Sequence, residues 1–392
     1  MEQQAQEYLK YYESFFPFNT WYQWLNHSPV AGGTDFTNRE FAFSINTGQD
    51  SDVYIRWQSF ANAPEFKKKV MMLAPTRFEI GAVHTRPPIE HKRVPKDRMK
   101  PVAKELVFDI DMSDYDDYRT CCSGKQVCPK CWQFITVAIE VLSLIFAEDF
   151  GYKHVLWAFS GRRGAHAWVC DERARNLDDQ QRRDLLEYIT VQPRTVQRPF
   201  HPMVKRSFDL CANRFRSVVL ANQTPFQTPE QIDMLMDRLK EVGQDYTAKL
   251  RAKFAADPDM TSADRWRELD NVAVEMKLPA ARADALLRAK QNLVLEFLYP
   301  KLDANVSKMR GHLLKSPFCV HPDTGNVCVP LAPESFQEFD PTSVPTIQGL
   351  LNEKRTAGGS GRGMLEPALR TFRQFVAQLN RAEKRQAESM EF

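Results

Sequence analysis

The sequence predicts a mixed α/β (α+β) protein in which a sheet-bearing core is interrupted by a helical insertion. Strand-like alternation marks the first part of the chain, helical periodicity dominates the middle, and strand-like segments return near Tyr299. A chain of 392 residues has room for two or three domains. We predict a first part of the core at 1–176, a helical insertion at 177–298, a second part of the core at 299–350, and a linker with a C-terminal helix at 351–392.

The composition is that of an ordinary soluble protein, with 43% hydrophobic and 26% charged residues. A formal net charge of +3 is too small to indicate a nucleic-acid partner by itself. The first residues, MEQQAQEYLKYYESFF, lack the basic and apolar regions of a signal peptide, which predicts an intracellular protein. In that compartment, clustered cysteines are more often metal ligands or free thiols than disulfides.

Two early segments alternate as half-buried strands do. REFAFSI places Phe41 and Phe43 on one face and Glu40 on the other. DVYIRWQ repeats the pattern, with Tyr54 and Arg56 on its polar face. We therefore predict two strands that carry polar groups on one side.

The segment TRPPIEHKRVPKDRMKP (85–101) is rich in proline and in basic residues. Its simplest interpretation is a solvated loop. An arm that contacts phosphates is the alternative, and the sequence leaves both open.

Helical signals dominate the middle of the chain. Thr228, Pro229 and Gln231 predict a capping box with proline at the first helical position. Earlier in the chain, the apolar segment WQFITVAIEVLSLIF (132–146) is shorter than the roughly 20 residues that a membrane span needs. Because its polar residues fall on one helical stripe, we predict a core helix with a narrow polar edge. That stripe consists of Gln133, Thr136, Glu140 and Ser143.

In the last part of the chain, the segment 318–330 again has the pattern of strands, with HPDTGNV as a turn. A glycine-rich linker, AGGSGRG, then precedes an amphipathic helix. The apolar stripe of that helix consists of Leu365, Leu369, Phe372, Val376 and Leu379.

Two carboxylates stand out in ELVFDIDM, which predicts a strand. Phe108 and Ile110 would face the core, and Asp109 and Asp111 the opposite side. Because alternate strand residues are roughly 7 Å apart, both carboxylates can hold two divalent ions roughly 3.5–4 Å apart, as in phosphoryl transfer. Oxygen ligands suit Mg²⁺ or Mn²⁺. Asp303 is a third candidate, and a solvated strand end is the alternative.

Half of the eight cysteines crowd into the segment 121–131. Cys121, Cys122, Cys128 and Cys131 give the spacing CC-x5-C-x2-C. Four thiolates complete a tetrahedron and leave no open position for water, which predicts one structural Zn²⁺. Four unrelated reduced thiols are the alternative.

The segment HVLWAFSGRRGAHAWVCD predicts a strand, a tight loop and a second strand. Gly161 and Gly164 allow a sharp turn around Arg162 and Arg163. Guanidinium groups match phosphate oxygens bidentately, so we predict a loop that binds a triphosphate. Further candidates for this grip are Ser160, His166, Lys315 and His321.

Together these segments resemble the catalytic small subunit of eukaryotic DNA primase, a member of the archaeo-eukaryotic primase family. The likeness is carried by ELVFDIDMSDYDDYRTCC…CPKCW, FSGRRGAHAWVCD and YPKLDANVSKMRGHLLKSPFCVHPDTGNVCVPL. It also includes YYESFFPFNTWYQWLNH, REFAFSI, VYIRWQSF, EIGAVH and FDPTSVPTIQ. It fades between about 177 and 290, as expected for a variable helical insertion.

The resemblance implies a primase fold of two mixed-sheet halves with the site between them, together with a zinc knuckle. It implies two catalytic Mg²⁺ or Mn²⁺ ions held by Asp109, Asp111 and Asp303, with Glu40 also catalytic. The nucleotide-binding residues that it implies are Tyr54, Arg56, Ser160, Gly161, Arg162, Arg163, His166, His312, Leu313, Leu314, Lys315 and His321. Glu79 in EIGAVH is a departure, because many relatives are expected to have aspartate there.

The implied activity is the synthesis of short RNA primers on single-stranded DNA, by two-metal nucleotidyl transfer, at the start of DNA replication. The implied partners are ribonucleoside triphosphates, the DNA template, a large subunit with an iron–sulfur cluster and the DNA polymerase alpha complex. The expected location is the nucleus, without a membrane. Alternatives are a deoxynucleotide-preferring primase-polymerase of damage bypass, a non-catalytic zinc-containing nucleic-acid-binding module, and a metal-dependent nuclease.

Overall fold

The computed structural model describes residues 2–27, 33–46, 52–357 and 363–390. The strands in this part of the chain are β1 (Arg39–Ile45), β2 (Val53–Gln58), β3 (Arg77–His84), β4 (Pro101–Ala103), β5 (Leu106–Asp111), β6 (Val155–Phe159), β7 (Gly164–Val169) and β8 (Leu314–Lys315). The α-helices are α1 (Glu2–Ser14), α2 (Phe18–Asn26), α3 (Ala63–Leu73), α4 (Pro129–Glu148), α5 (Glu172–Arg175), α6 (Asp179–Ile189), α7 (Pro202–Phe215), α8 (Pro229–Arg238), α9 (Gln244–Ala256), α10 (Ser262–Glu275), α11 (Ala280–Leu298), α12 (Ala304–Ser307), α13 (Ile347–Ala357) and α14 (Glu366–Met390).

The chain divides into two compact units. The first comprises Met1–Ile110, Gly151–Tyr188 and Leu302–Phe392, and the second comprises Asp111–Phe150 and Ile189–Lys301. The strands belong to the first unit, except that the last residue of β5, Asp111, lies in the second unit, as do α4 and α7 to α11. This mixture of sheets and helices confirms the predicted α+β class. The sequence-based boundaries, with an insertion at 177–298, remain a prediction.

The first unit contains two sheets. The larger has the strand order β2-β1-β3-β4, and β8 also pairs with β3. Its pairs are all antiparallel. The smaller has the order β5-β7-β6, with β6 and β7 antiparallel across a tight loop, as predicted.

The prediction that β1 is half-buried is wrong. Both faces of β1 are covered, and Glu40 is as inaccessible as Phe41. The reason is that β1 lies between β2 and β3 and that its polar face has partners inside the protein. Val53 on the edge strand β2 is exposed instead of buried.

Aromatic side chains fill the core of the first unit. The fully buried ring of Trp21 on α2 stacks on Phe66 of α3, with centroids 4.5 Å apart, and donates through Nε1 to Ser316 at 2.9 Å. On α1, Tyr11 donates to the carbonyl of Phe318 at 2.8 Å. Burial of each large side chain contributes about 1.5–3 kcal/mol, so these contacts join the first helices to the segment after residue 302.

Within the described residues, α4 is the helix that is long and apolar enough to cross a membrane, but 67% of that window is buried inside the protein. It is therefore the core helix that the sequence predicts. In the predicted polar stripe, Glu140 pairs with Arg214, whose Nε lies 3.2 Å from Oε2. Thr136 departs from the prediction, because it is buried and donates to the carbonyl of Trp132.

Other local predictions agree with the structure. Thr228 and Gln231 form the capping box of α8. The stripe on α14 is buried, and His321 to Asn326 form the predicted turn. The segment 85–101 is a loop with two short 3₁₀ turns, Pro88–Glu90 and Lys96–Arg98, before β4. The glycine-rich linker lies outside the described residues at 358–362.

A buried ion pair connects β1 to the start of β5. Two nitrogens of Arg39 donate to the carboxylate of Glu105, at 2.8 and 3.0 Å, and neither side chain is exposed. His27 also contacts this carboxylate. Burial alone would raise the pKa of Glu105, but the Arg39 charge and the His27 hydrogen bond outweigh it and hold that pKa well below its usual range.

We expect Glu105→Gln to lower the free energy of unfolding by about 3–5 kcal/mol, because the Arg39 charge would remain buried without its partner. The pKa of Glu105 is depressed on folding, so the stabilisation is present above 4.5, the ordinary value, and disappears as the pH falls through the folded-state value. Denaturant titrations at several pH values should therefore show the two proteins converging in acid.

The matched control is Glu388→Gln, which removes an exposed i,i+4 partner of Lys384 on α14. Its cost should stay below about 1 kcal/mol. Equal costs for the two variants would contradict the role of the buried pair.

Candidate active site

The strand β5 presents the predicted carboxylates. Asp109 and Asp111 are partly exposed, while Phe108 and Ile110 between and beside them are fully buried. Val107, which the alternation of the strand places on the same side as Asp109, is also fully buried. The side of β5 that carries the carboxylates is therefore buried at Val107 and becomes accessible to solvent only from Asp109 onward.

Two other parts of the first unit flank Asp109. His166 on β7 places Nε2 3.6 Å from Asp109 Oδ1. The backbone amide of Asp303 donates to the carbonyl of Asp109 at 3.3 Å. Asp303 is exposed and caps α12 by accepting from the amide of Asn305 at 2.9 Å. The fold thus brings Asp303 beside β5, although the two residues are far apart in the sequence.

Asp111 ends β5 and is engaged locally. Its Oδ1 accepts from the amide and the hydroxyl of Ser113, at 2.7 and 2.8 Å. This caps the short turn that follows the strand and fixes one carboxylate oxygen.

The chemistry of these carboxylates fits Mg²⁺ or Mn²⁺. They offer oxygen donors that solvent can reach, which is what these hard cations prefer. Among the described residues, the cysteine group discussed below is the one set of three or more His, Cys, Asp or Glu side chains whose ligand atoms lie within 4.8 Å of one another. The binding of ions by the three aspartates therefore remains a prediction.

The loop between β6 and β7 is closed by its own backbone. Ser160 donates its amide to the carbonyl of Gly164 at 2.8 Å, and its hydroxyl accepts from the amide of Gly164 at 3.0 Å. Gly161 has φ +88°, a conformation that L side chains rarely adopt. Arg162 and Arg163 are held at the tip, both partly buried.

The predicted cationic residues of the last segment meet this loop. Lys315 donates to the carbonyl of Ser160 at 2.5 Å, and Thr324 donates to the carbonyl of Gly161 at 2.7 Å. Arg162 pairs with Asp323 at 3.0 Å. These residues, predicted to bind the triphosphate, therefore belong to one connected structure, called the phosphate grip below, which is built from the β6–β7 loop, β8 and the turn that begins at His321.

His321 lies against the glycine of the loop. A Cβ atom at Gly161 would come within 2.7 Å of His321 Cβ. Burial lowers the pKa of His321 to about 4, and the Lys315 ammonium adds to this effect. Near neutral pH the imidazole of His321 is therefore neutral in the protein alone and can form hydrogen bonds. Burial also lowers the pKa of His312.

The larger sheet brings together two of the predicted site residues. Arg56 on β2 donates through Nε and a terminal nitrogen to the two oxygens of Glu40, at 3.0 and 3.2 Å. Burial disfavours the guanidinium charge, but the Glu40 hydrogen bonds and charge outweigh it and raise the pKa of Arg56. Because Glu40 is buried and occupied by Arg56, its position fits support of Arg56 better than direct contact with an ion.

Tyr54 and Glu79 lie on the same sheet. The Tyr54 hydroxyl donates to Glu79 Oε2 at 2.6 Å, and Arg77 also pairs with Glu79. Burial, together with this hydrogen bond, raises the pKa of Tyr54. In the register of β3 and β8, Glu79 stands opposite Lys315, which connects Tyr54 to the phosphate grip.

Sequence reasoning missed two supports of the segment 312–315. Lys104 is buried and donates through Nζ to the carbonyl of His312, and burial, aided by the Arg182 charge, lowers its pKa to about 7.

Gly81 on β3 leaves room for Leu313, since a Cβ there would lie 3.0 Å from Glu40 Cβ and 3.3 Å from Leu313 Cγ. An isolated glycine within a strand, as in EIGAV, indicates that another group approaches the backbone closely, and this signal could have identified Gly81. Leu313 and Leu314 are themselves buried, so they pack the segment that ends in Lys315.

The predicted cysteine cluster is present in the second unit. The four sulfurs of Cys121, Cys122, Cys128 and Cys131 all lie within 4.8 Å of one another. Cys128 Sγ lies 3.6 Å from Cys121 Sγ and 3.9 Å from Cys131 Sγ. Zn–S bonds of about 2.3 Å give a tetrahedron with edges of about 3.8 Å, so the donor set fits Zn²⁺.

The surroundings of the cluster hold it in place. Cys128 caps α4, and Cys131 lies in its first turn. Buried Arg119 donates to the carbonyls of Gly124 and Gln126, at 2.8 and 2.6 Å, and so fixes the connecting loop. Burial alone would raise the pKa of Cys128, but the backbone amide of Cys131 and the neighbouring thiols lower it to about 7.

Carboxylates on a strand and a glycine-turned loop with arginines are the residue types that metal-assisted nucleotidyl transfer uses. The family model of the DNA primase small subunit matches residues 108–333, which contain both features. The DNA primase small subunit of Schizosaccharomyces pombe is 44% identical over 91% of this chain and 79% of its own length. That of Saccharomyces cerevisiae is 40% identical over 94% and 90%.

More distant matches come from archaea. The DNA primase small subunit PriS of Pyrobaculum calidifontis is 30% identical over 38% of this chain. The chain belongs to the DNA primase small-subunit family, which confirms the predicted enzyme class, a primase and nucleotidyltransferase of DNA replication, over the alternatives.

We expect Gly161→Ala to raise the KM for nucleoside triphosphates at least tenfold, because the new Cβ must displace His321 or distort the loop. Steady-state kinetics at saturating template would measure it. Gly151→Ala is the control, since Gly151 also has a positive φ of +64° but its Cβ would meet only the end of Arg173, at 3.5 Å. A similar KM for both variants would contradict the packing of the grip.

We expect the purified chain to contain about one Zn²⁺, and Cys128→Ser to lose it, because a closed site needs all four thiolates. Elemental analysis measures the metal. Cys211→Ser changes a buried cysteine of the second unit outside the cluster and should keep the zinc. Wild-type enzyme that is active without stoichiometric zinc would contradict the assignment.

Proposed function

We propose that this chain synthesises short RNA primers on single-stranded DNA as the catalytic subunit of a nuclear primase. The observation that carries the proposal is the connected grip of Ser160, Gly161 and Lys315 in the same unit as Asp109 and His166. It combines a site for the triphosphate with carboxylates for the reacting phosphate. Membership of the small-subunit family supports it.

The residues of the chain have distinct tasks in this reaction. The Lys315 ammonium and the guanidinium groups of Arg162 and Arg163 bind the triphosphate and neutralise its charge. His321 is a neutral imidazole at the start of the same turn and offers a hydrogen bond. The closed backbone of the loop keeps these donors in position, so little reorganisation is needed when the nucleotide binds.

Asp109, Asp111 and Asp303 would hold two Mg²⁺ or Mn²⁺ ions. When bound, such ions lower the pKa of the attacking 3′-hydroxyl and stabilise the leaving pyrophosphate. The protein supplies the strand geometry that separates Asp109 from Asp111 by one residue, and the Asp303–Asp109 backbone hydrogen bond that brings the third carboxylate near. The cysteine cluster would hold one structural Zn²⁺ at the start of α4, where it stabilises the loop after β5.

The family name of a small subunit supports a large-subunit partner, with single-stranded DNA and nucleoside triphosphates as substrates. We further propose that the iron–sulfur cluster of the complex belongs to that partner and that the complex works with DNA polymerase alpha. In the described structure, the cysteines outside the zinc cluster are all buried and form no second group of metal ligands.

We expect Asp109→Asn and Asp111→Asn each to reduce primer synthesis by at least about 1,000-fold, because each removes a charge that binds the catalytic ions. The melting temperature should hold or rise, since fewer like charges repel one another in the ion-free protein. Gel analysis of labelled products on single-stranded DNA, together with thermal melting, measures both.

Asp178→Asn is the control, because asparagine preserves the cap that this exposed residue provides for Gln181. It should keep full activity. Near-normal synthesis by Asp109→Asn would overturn the metal-binding assignment, and Asp303→Asn should behave like the other two variants.

A further inference from the structure

The basic loop before β4 has no task in the site described so far. Its exposed lysines and arginines are Arg86, Lys92, Arg93, Lys96, Arg98 and Lys100. The same segment has two acids, Glu90 and Asp97, while the entire chain has a net charge of only +3. Among the described residues, none of these six cations forms an ion pair with a carboxylate, in contrast to the paired arginines of the second unit. Positive charge is thus concentrated here and left available to an anionic partner.

Next to this loop, the edge strand β2 has an irregular backbone. Between paired positions, β1 advances from Phe41 to Phe43 while β2 spans Ile55 to Gln58, so β2 contains one extra residue. Trp57 lies in this bulge with φ 62°, which is rare for a bulky residue. Its amide donates to Glu40 at 3.3 Å. The backbone of Trp57 is therefore held in an unfavourable conformation, which changes the direction of its indole ring.

The redirected ring forms a half-exposed aromatic platform with the loop. Trp57 stacks on His91, with centroids 5.2 Å apart and planes 18° apart. His91 Nδ1 lies 3.2 Å from the carbonyl of Pro88, which fixes the imidazole. Arg56, which pairs with Glu40, lies 5.3 Å from the centre of the indole ring. The platform thus connects the basic loop directly to a residue of the active site.

We propose that Trp57, His91 and the basic segment 86–100 form the surface that holds the single-stranded DNA template. The two rings provide stacking for an unpaired base, and the lysines and arginines contact successive phosphates. This inference rests on the proposed function and assigns the template to a particular surface.

The distribution of charge favours a strand over a nucleotide as the ligand. A triphosphate has its charge within a few ångströms and is matched by the compact grip of Lys315 and Arg162. Six cations along the segment 86–100 match a longer chain of phosphates. A ring pair offers stacking to unpaired bases, and the template has these before it is copied, whereas the growing primer is paired with the template.

The first test measures binding of the full chain to a fluorescent oligo(dT) of about 20 nucleotides, long enough for a single-strand site. Lys92→Glu with Arg93→Glu should weaken binding at least tenfold. The slope of log K against log salt should become shallower by about 1.4, because each lost single-strand phosphate contact accounts for about 0.7.

The matched control is Lys68→Glu with Lys69→Glu on α3, which changes the net charge equally in the same unit. It should weaken binding less than twofold. Equal weakening by both double variants would mean that only net charge matters, and it would overturn the proposal.

The second test concerns the platform. His91→Ala should weaken binding about fivefold with an unchanged salt slope, since it removes a stacking partner and no phosphate contact. Template binding should quench tryptophan fluorescence in the wild type, and Trp57→Phe should remove most of that quenching. If Trp57→Phe does not fold, as thermal melting would show, His91→Ala decides the question. Unchanged affinity in His91→Ala would overturn the platform.

The same titrations with oligo(U) distinguish the template from an RNA strand. If the loop variants lose RNA affinity but keep DNA affinity, the surface binds the primer and the proposal is wrong.

The KM for nucleoside triphosphates at saturating template should not change. If loop variants bind DNA normally while synthesis still depends on Asp109, only the template surface fails; if synthesis survives Asp109→Asn, the proposed function fails.

Discussion

The buried pair of Arg39 and Glu105 is the constraint on which the arrangement of the site depends. Arg39 directly precedes Glu40 on β1, and Glu105 directly precedes β5, the strand of Asp109. Two hydrogen bonds join the pair where solvent does not reach it. They therefore fix the position of the start of β5 relative to the larger sheet. Glu40 on β1 and Asp109 on β5 are thereby fixed in relation to each other. Removing two charges from water is costly, so the value of such a pair lies in the geometry that it specifies more than in net stability.

The predicted phosphate grip follows a similar principle on a smaller scale. Its side chains are held by hydrogen bonds to backbone carbonyls, from Lys315 to Ser160 and from Thr324 to Gly161, and Lys104 supports it through the carbonyl of His312. Backbone carbonyls in a closed loop move little, so the charged groups are positioned before a ligand arrives. The low pKa of His321 has the same origin, because the turn that brings it to Gly161 also buries it.

The parts of the site that the sequence predicted are those whose residues lie close together in the chain. The strand of Asp109, the arginine loop and the cysteine spacing each lie within a short segment, where period and spacing decide the structure. The residues that were missed depend on contacts across the fold. Lys104 acts on His312, 208 residues away, and the burial of Glu40 follows from the position of β1 between two strands. The bulge at Trp57 depends on register, which is not visible from one strand.

The hydrogen bond from Tyr11 to Phe318 spans 307 residues and has a consequence for biosynthesis. The first unit is assembled from three separated stretches of chain, the last of which starts at Leu302. A ribosome must therefore complete every residue of the second unit before it makes Ser316, the hydrogen-bond partner of Trp21 in the aromatic core. During that interval the nascent protein displays apolar rings and unpaired strand edges, the features that chaperones recognise. Contacts of such long range also slow the search for the native state. Lys315 and His321 of the predicted site follow the second unit in the chain, so a product of translation that ends before them lacks part of that site.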